Sequence, residues 1–282
     1  MPREGHVELP GGRLVAWREW GDSSGRPVVL VHGTPGSRLF FPDPTLRSAS
    51  VARVVTFDRP GYGQSTPLPI PSLLEVADIV ARIAADRGFA KFSVVGFSGG
   101  GPYALACGAR LPDRVSRVAA VSSWGPIDEI EAAYASLTSD ERDLMSTVRS
   151  DPGGATERLW EFGQWFADNP LRFLETASED EPVVRDADAR ANFMAANLEG
   201  ARQGQAGLVS DWVADALPWG FRLADISVPV DVWIGEQDPG RAPLDAYEIA
   251  RHIPSCTVHA DPDAGHWLLI SHWRDILEQS LC

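Results

Sequence analysis

Phe92-Ser93-Val94-Val95-Gly96-Phe97-Ser98-Gly99-Gly100-Gly101-Pro102 is the stretch on which the reading of this chain turns. A β-prone run, 92–95, enters the pattern GxSxG at 96–100, and a helix-like stretch, 102–111, follows. A serine held on a sharp strand-to-helix turn must take strained backbone angles, and side chains two positions to either side would clash. That requirement explains glycine at 96 and 100. The turn lifts the hydroxyl above the sheet, and the helix N-terminus behind it favours developing negative charge. A glycine-rich turn with an incidental serine fits the same letters, so the surroundings must decide.

Short β-rich runs alternate with helical patterns on both sides of this stretch, the rhythm of a largely parallel sheet with crossover helices. Strands are predicted near 6–9, 14–20, 28–32, 54–58, 92–96 and 115–123, and Pro10-Gly11-Gly12 makes the first two an antiparallel hairpin. Apolar residues at helical spacing predict an amphipathic helix over 72–86, with Gly88 as its stop. From Gly125 to about Arg222 the β rhythm disappears into helix-like segments, broken at Asp151-Pro152-Gly153-Gly154, Asn169-Pro170 and Pro218. Alternation returns at 228–235, 242–252, 256–260 and 267–281. The expected organisation is therefore an α/β body, residues 1–124 and 223–282, with a helical cap insertion at 125–222.

At 282 residues, one large domain with an insertion is the natural size class. Hydrophobic residues at 44%, with 10 Trp and 11 Phe, belong to a globular chain with a sizeable core. No run approaches the roughly 18 unbroken apolar residues of a membrane helix. The start, Met1 to His6, shows no secretory signal pattern, so cytoplasmic residence is the expectation. A net charge of −14 argues against a nucleic-acid partner and against an acidic membrane surface. The insertion holds 19 acidic and 8 basic residues, and these acidic side chains read as a solvated face. Lys91 is the single lysine, placed outside any Schiff-base or P-loop setting. Cys107, Cys256 and Cys282 lack the spacing of a disulfide scaffold or a zinc site. The expected partner is a small molecule, with no cofactor or metal; oligomeric state is left open.

A second loop supports the serine. His32-Gly33-Thr34-Pro35-Gly36 follows the apolar run 28–31 and can aim a backbone N–H at the same point above the sheet. Pro35 has no N–H, which makes Thr34 the expected donor, and Gly99 supplies the second. Because the N–H acts rather than the side chain, Thr34→Ala is expected to retain most activity. His32 itself reads as a buried structural histidine.

With these loops in place, the chain resembles the α/β-hydrolase family. Asp58-Arg59-Pro60-Gly61-Tyr62-Gly63-Gln64-Ser65 is similar to that family's D-R-x-G-x-G-x-S segment, and Gly265-His266 resembles its catalytic-histidine site. The resemblance implies a mostly parallel eight-stranded sheet flanked by helices, with the cap inserted after the sixth strand. Ser98 at the elbow sets the chain apart from the Asp-nucleophile branch, the epoxide hydrolases and haloalkane dehalogenases. Asp58 and Arg59 are expected in a loop ion pair.

A serine nucleophile needs a base, and His266 lies where the strand at 256–260 gives way to a helix. Loops at the carboxyl ends of parallel strands gather at one edge, so His266 can reach Ser98. A carboxylate must then fix the imidazole, and Asp238, after the strand at 228–235, completes the order Ser, Asp, His. Asp128 competes for that role, followed by Glu236 and Asp263. Trp124, Trp160 and Trp165 are the substrate-contact candidates, with Trp212 and Trp219 as further aromatics of the insertion.

The expected function is acyl transfer from a small to medium neutral carboxylic ester, thioester or lactone to water. A C–C bond hydrolase on the same triad is the alternative, and a ligand-binding receptor on this fold the non-enzymatic one. The family's peptidases usually carry two glycines after the loop histidine, a feature that His32-Gly33-Thr34 lacks.

Overall fold

β-Branched and aromatic runs form eight strands, β1 (Arg3–Leu9), β2 (Arg13–Gly21), β3 (Arg26–Val31), β4 (Ala52–Phe57), β5 (Phe92–Phe97), β6 (Val115–Val121), β7 (Val230–Gly235) and β8 (Cys256–Asp261). In this computed structural model they make one sheet in the order β1-β2-β4-β3-β5-β6-β7-β8. The described residues are 3–43, 52–68, 72–127, 129, 130, 134, 135, 137, 139–169, 171, 181–240 and 242–282. β2 runs antiparallel to β1 and β4, and all other pairings are parallel.

Alternation along the central strands feeds two cores, as a sheet covered on both faces requires. Val29, Val31, Val94, Val118 and Val232 face one side, with helices α1 (Leu73–Asp86) and α2 (Gly101–Arg110). Val28, Leu30, Val95, Val121 and Trp233 face the other, against Trp273, Ile276 and Leu277. α1 starts where a capping box dictates: Glu75 N–H donates to Ser72 Oγ at 3.1 Å, and Ser72 N–H to Glu75 Oε2 at 2.9 Å. Gly88, at φ +75°, ends that segment in the left-handed region.

Between β6 and β7 the described elements are helical: α3 (Ser139–Ser150), α4 (Pro152–Asp168), α5 (Pro182–Arg185), α6 (Ala187–Gly200) and α7 (Ala206–Ala216). This insertion docks on the strand-end loops through glycine contacts. A Cβ on Gly200 would stand 2.4 Å from Gly36 O, and one on Gly207 would stand 2.6 Å from the Tyr62 ring. Backbone therefore lies almost directly on loop and ring. α8 (Ala242–His252) follows β7. The single helix expected over 267–281 is corrected to two, α9 (Leu268–Ser271) and α10 (Trp273–Ser280). His272 lies at the turn between them, its ring held by Ser271 Oγ at 2.9 Å and Asp261 Oδ2 at 3.2 Å. Among the described residues, no helix is long and apolar enough to cross a membrane.

Candidate active site

β5 delivers Ser98 to its turn at φ +51°, a conformation costly for a residue with a side chain and one that persists only where neighbours enforce it. The neighbours here are backbone. A Cβ on Gly96 would meet Gly100 O at 2.4 Å, and one on Gly100 would meet Val31 O at 2.3 Å. The turn thus wedges between the ends of β3 and β5 and directly opens α2. Ser98 is buried, at 7% exposure.

His266 Nε2 lies 3.1 Å from Ser98 Oγ, and His266 Nδ1 lies 2.7 Å from Asp238 Oδ2. Both residues reach this point because the loops after β7 and β8 are pressed together: Gln237 N–H donates to Ala264 O at 2.9 Å, and a Cβ on Gly235 would strike that same oxygen. Asp238 Oδ1 accepts from Gly240 N–H at 2.8 Å, leaving Oδ2 for the histidine. Burial raises the Asp238 pKa, but the His266 hydrogen bond and charge, with the Gly240 N–H, outweigh it and hold the carboxyl below its ordinary value. Neither Glu236 nor Asp263 shares this arrangement. Glu236 accepts from Tyr247 Oη at 3.0 Å, Asp263 is exposed, and Asp128 lies outside the described residues.

The structure sets the His32 to Gly36 loop against the elbow, with Thr34 N within 3.2 Å of where a Gly99 Cβ would lie. The backbone N–H groups of Thr34 and Gly99 therefore occupy neighbouring positions. His32 is buried, and burial together with the Arg59 charge pushes its pKa well down. It acts as a neutral strut, with Nδ1–H donating to Gly33 O at 2.7 Å and Nε2 accepting from Arg59 N–H at 3.3 Å.

The Thr34 side chain has its own task, which changes the expectation for Thr34→Ala. Thr34 Oγ1 donates to Asp211 Oδ2 at 2.7 Å and accepts from Arg59 Nη2 at 2.9 Å. Asp211, on α7, is buried and is also the acceptor for Tyr62 Oη at 2.6 Å and Tyr103 Oη at 2.7 Å. Arg59 pairs with Asp211 and donates to His32 O and Gly33 O. Burial opposes the Arg59 charge and Asp211 outweighs it, raising its pKa. Burial and then the Asp211 charge push both tyrosines well up, so they stay protonated donors. The expected Asp58 and Arg59 ion pair is corrected accordingly: Asp58 pairs with Arg38 at 2.8 Å, and Arg59 with Asp211. The solvated-face reading of the insertion's acids fails at Asp211 for the same reason.

Glu181, just before α5, is half-buried. Its Oε1 stands 1.9 Å from where a Gly265 Cβ would lie, and its carboxylate accepts from the backbone N–H groups of His266 and Trp267. Burial raises its pKa. The insertion thus grips both the Thr34 loop and the His266 loop.

A cavity of about 60 Å³ opens beside Ser98 and His266, walled by Pro35, Phe40, Phe193, Asn197 and Trp267. The structure does not bring Trp160 or Trp165 to it, since both are 45% exposed on α4. Trp124 donates Nε1–H to Asp215 at 2.6 Å and borders a separate small cavity with Thr34, Gly99 and Trp212. A larger hollow of about 350 Å³ around Trp219 and Arg222 does not include Ser98. Trp267 and Phe193 were not singled out from sequence; the adjacency of Trp267 to His266 was the available signal. Among the described residues, no group of three or more His, Cys, Asp or Glu side chains is arranged to hold a metal ion.

Comparison with known proteins places this geometry in context. A sequence profile described as alpha/beta hydrolase fold matches residues 26–272. The chain is 35% identical over 191 residues to the dihydrolipoyllysine-residue acetyltransferase component of the acetoin cleaving system of Pseudomonas putida, a match covering 64% of this chain and 49% of that one. It therefore spans about half the length of that relative. It is 26% identical over 286 residues to 2-hydroxymuconate semialdehyde hydrolase of Pseudomonas putida, covering 96% of this chain and 90% of that one. A solved structure of a putative aryl esterase from Burkholderia cenocepacia superposes with a TM-score of 0.66 at 23% identity, over 99% of this chain and 97% of that chain. The chain belongs to the α/β-hydrolase fold family.

Proposed function

We propose that the protein is a serine hydrolase that transfers the acyl group of a small, uncharged carboxylic ester, thioester or lactone to water. Ser98 Oγ attacks the carbonyl carbon as His266 Nε2 takes its proton. The Asp238 carboxylate holds the ring and stabilises the imidazolium so formed. The N–H groups of Thr34 and Gly99 receive the oxyanion, a role for which donors fixed before reaction are worth most. His266 then protonates the leaving alcohol, and a water deprotonated by the same nitrogen releases the acid and restores Ser98. Residues 125–222 serve as a cap that limits acyl length.

The observation that carries this reading is the hydrogen-bonded chain from Ser98 Oγ through both nitrogens of His266 to Asp238, at 3.1 and 2.7 Å, beside a cavity. The apolar wall of Pro35, Phe40, Phe193 and Trp267 supports a compact, uncharged acyl group. Labelling with a fluorophosphonate, followed by peptide mapping, tests the nucleophile; a panel of p-nitrophenyl esters of rising chain length tests the substrate class. Modification away from Ser98, or no turnover of any ester, would contradict the reading.

Cleavage of a C–C bond by the same three side chains is a second reading, favoured by the near full-length likeness to 2-hydroxymuconate semialdehyde hydrolase. A higher kcat/KM for 2-hydroxymuconate semialdehyde than for any ester of matched size would select it.

A further inference from the structure

Asn197 lies on α6 and, with Phe193 one turn earlier, walls the cavity beside Ser98. Its Nδ2–H donates to Phe193 O at 2.9 Å. A carbonyl oxygen can only accept, so this bond decides which way the amide faces: turned over, it would set two acceptors against each other. The opposite end of the amide, Oδ1, is buried and receives no hydrogen bond from any described residue, while Asn197 as a whole is only 2% exposed. A buried amide oxygen without a donor costs about 1–3 kcal/mol, a penalty that a purely structural position would shed by carrying leucine. Asn197 also borders a second small cavity with Pro35, Tyr62 and Leu208, and so stands at the wall between the two hollows. Around it the cavity wall is largely carbon, from Pro35, Phe40, Phe193 and Trp267.

We propose that Asn197 Oδ1 is a specificity acceptor for the substrate's acyl group, and that the protein prefers esters whose acyl chain carries a neutral O–H or N–H donor close to the reacting carbonyl. Hydroxy acid esters and acylamino acid esters are the two chemical classes that fit. An ammonium group does not fit, because among the described residues the cavity lining holds no carboxylate to pair with it. The inference rests on Ser98 as the nucleophile and assigns the acyl group, rather than the alcohol, to this cavity.

Three matched pairs of methyl esters test it: lactate against isobutyrate, 3-hydroxybutanoate against 3-methylbutanoate, and N-acetylglycinate against 4-oxopentanoate. Each pair exchanges one donor group for a carbon group of similar size. Turnover is followed by acid release with the wild-type enzyme, and binding by calorimetry on Ser98→Ala. At least one pair should favour the donor-bearing ester roughly tenfold in kcat/KM and in Kd, the discrimination expected of one neutral hydrogen bond in a desolvated site. Asn197→Leu, or the smaller Asn197→Ser, should bring that ratio close to one. Ratios within about twofold of one in all three pairs, or a preference unchanged in both variants, would overturn the proposal. Selective binding without turnover would instead remove the hydrolase reading and leave Asn197 in its role; turnover without selectivity would do the reverse.

Discussion

Thr34 Oγ1 donates a hydrogen bond to Asp211 Oδ2 across 177 positions of sequence, at 2.7 Å. One residue belongs to the loop after β3 and the other to an insertion helix, so the bond fastens the insertion to a loop whose backbone is proposed to hold the oxyanion. Arg59 completes the clamp by donating to Thr34 Oγ1 and to the carbonyls of His32 and Gly33. A backbone N–H contributes to transition-state stabilisation only if its position is held, and here side chains hold it.

Thr34→Val removes the hydroxyl while keeping shape and N–H. It should lower kcat roughly tenfold to a hundredfold with little change in KM, because a misplaced donor is felt mainly in the transition state. Thr34→Ser should restore most of the loss. Steady-state kinetics on both variants check this; an active Thr34→Val enzyme would show that the loop holds its position without Asp211.

Asp211→Asn leaves the buried Arg59 guanidinium without its counter-charge. Loss of one partner of a buried ion pair costs about 3–5 kcal/mol, so urea unfolding followed by circular dichroism should show a clearly lowered midpoint. An unchanged midpoint would mean that Arg59 needs no counter-charge at this site.

Asp238→Asn should reduce kcat by about 10²- to 10⁴-fold, because an amide favours the wrong histidine tautomer. Assay at about pH 8, above the ordinary histidine value, keeps imidazole protonation from limiting the rate. Asp128→Asn should cost far less, and the reverse ranking would move the role. The same carboxyl also shapes acid stability. Since it titrates lower in the folded protein than in the unfolded chain, its contribution is complete above roughly pH 4 and is lost as pH falls through the folded value. Stability measured against pH should therefore fall less steeply at the acid end for Asp238→Asn than for wild type.

No arginine or lysine lines the cavity beside Ser98 among the described residues, and Glu181 lies behind the His266 loop. An anionic acyl ester should therefore show kcat/KM at least roughly tenfold below its neutral isostere, given the cost of moving an unpaired charge among apolar walls. Hydrogen succinate methyl ester compared with its neutral amide provides the measurement. A preference for the anion would require a cation that the described wall does not offer.

The parts of this site visible in sequence are those set by local geometry. Gly96 and Gly100 are demanded by backbone packing within the turn, and His266 and Asp238 by the rule that strand-end loops meet at one edge. Strand periodicity was equally legible, because a sheet buried on both faces writes its apolar runs in consecutive letters. What sequence could not supply was the docking of the insertion. Asp211 and Glu181 are letters within a broadly acidic segment, and only the packing of α7 and of the chain just before α5 on the strand-end loops separates them from solvated neighbours. Asn197 and Phe193 became wall residues for the same reason, whereas Trp267 reaches the wall as the neighbour of His266. Trp160 and Trp165, plausible as aromatics of a cap, lie on the exposed side of their helix.

The central claim, that Ser98 is the acylated nucleophile, is tested most directly by trapping the acyl-enzyme. A p-nitrophenyl ester quenched in acid during the pre-steady-state burst should leave one acyl group on the peptide containing Ser98, by mass spectrometry. Ser98→Ala should show no adduct and a kcat lower by about 10⁴- to 10⁶-fold with its fold intact. An acyl group on any other residue, or wild-type turnover by Ser98→Ala, would contradict the account.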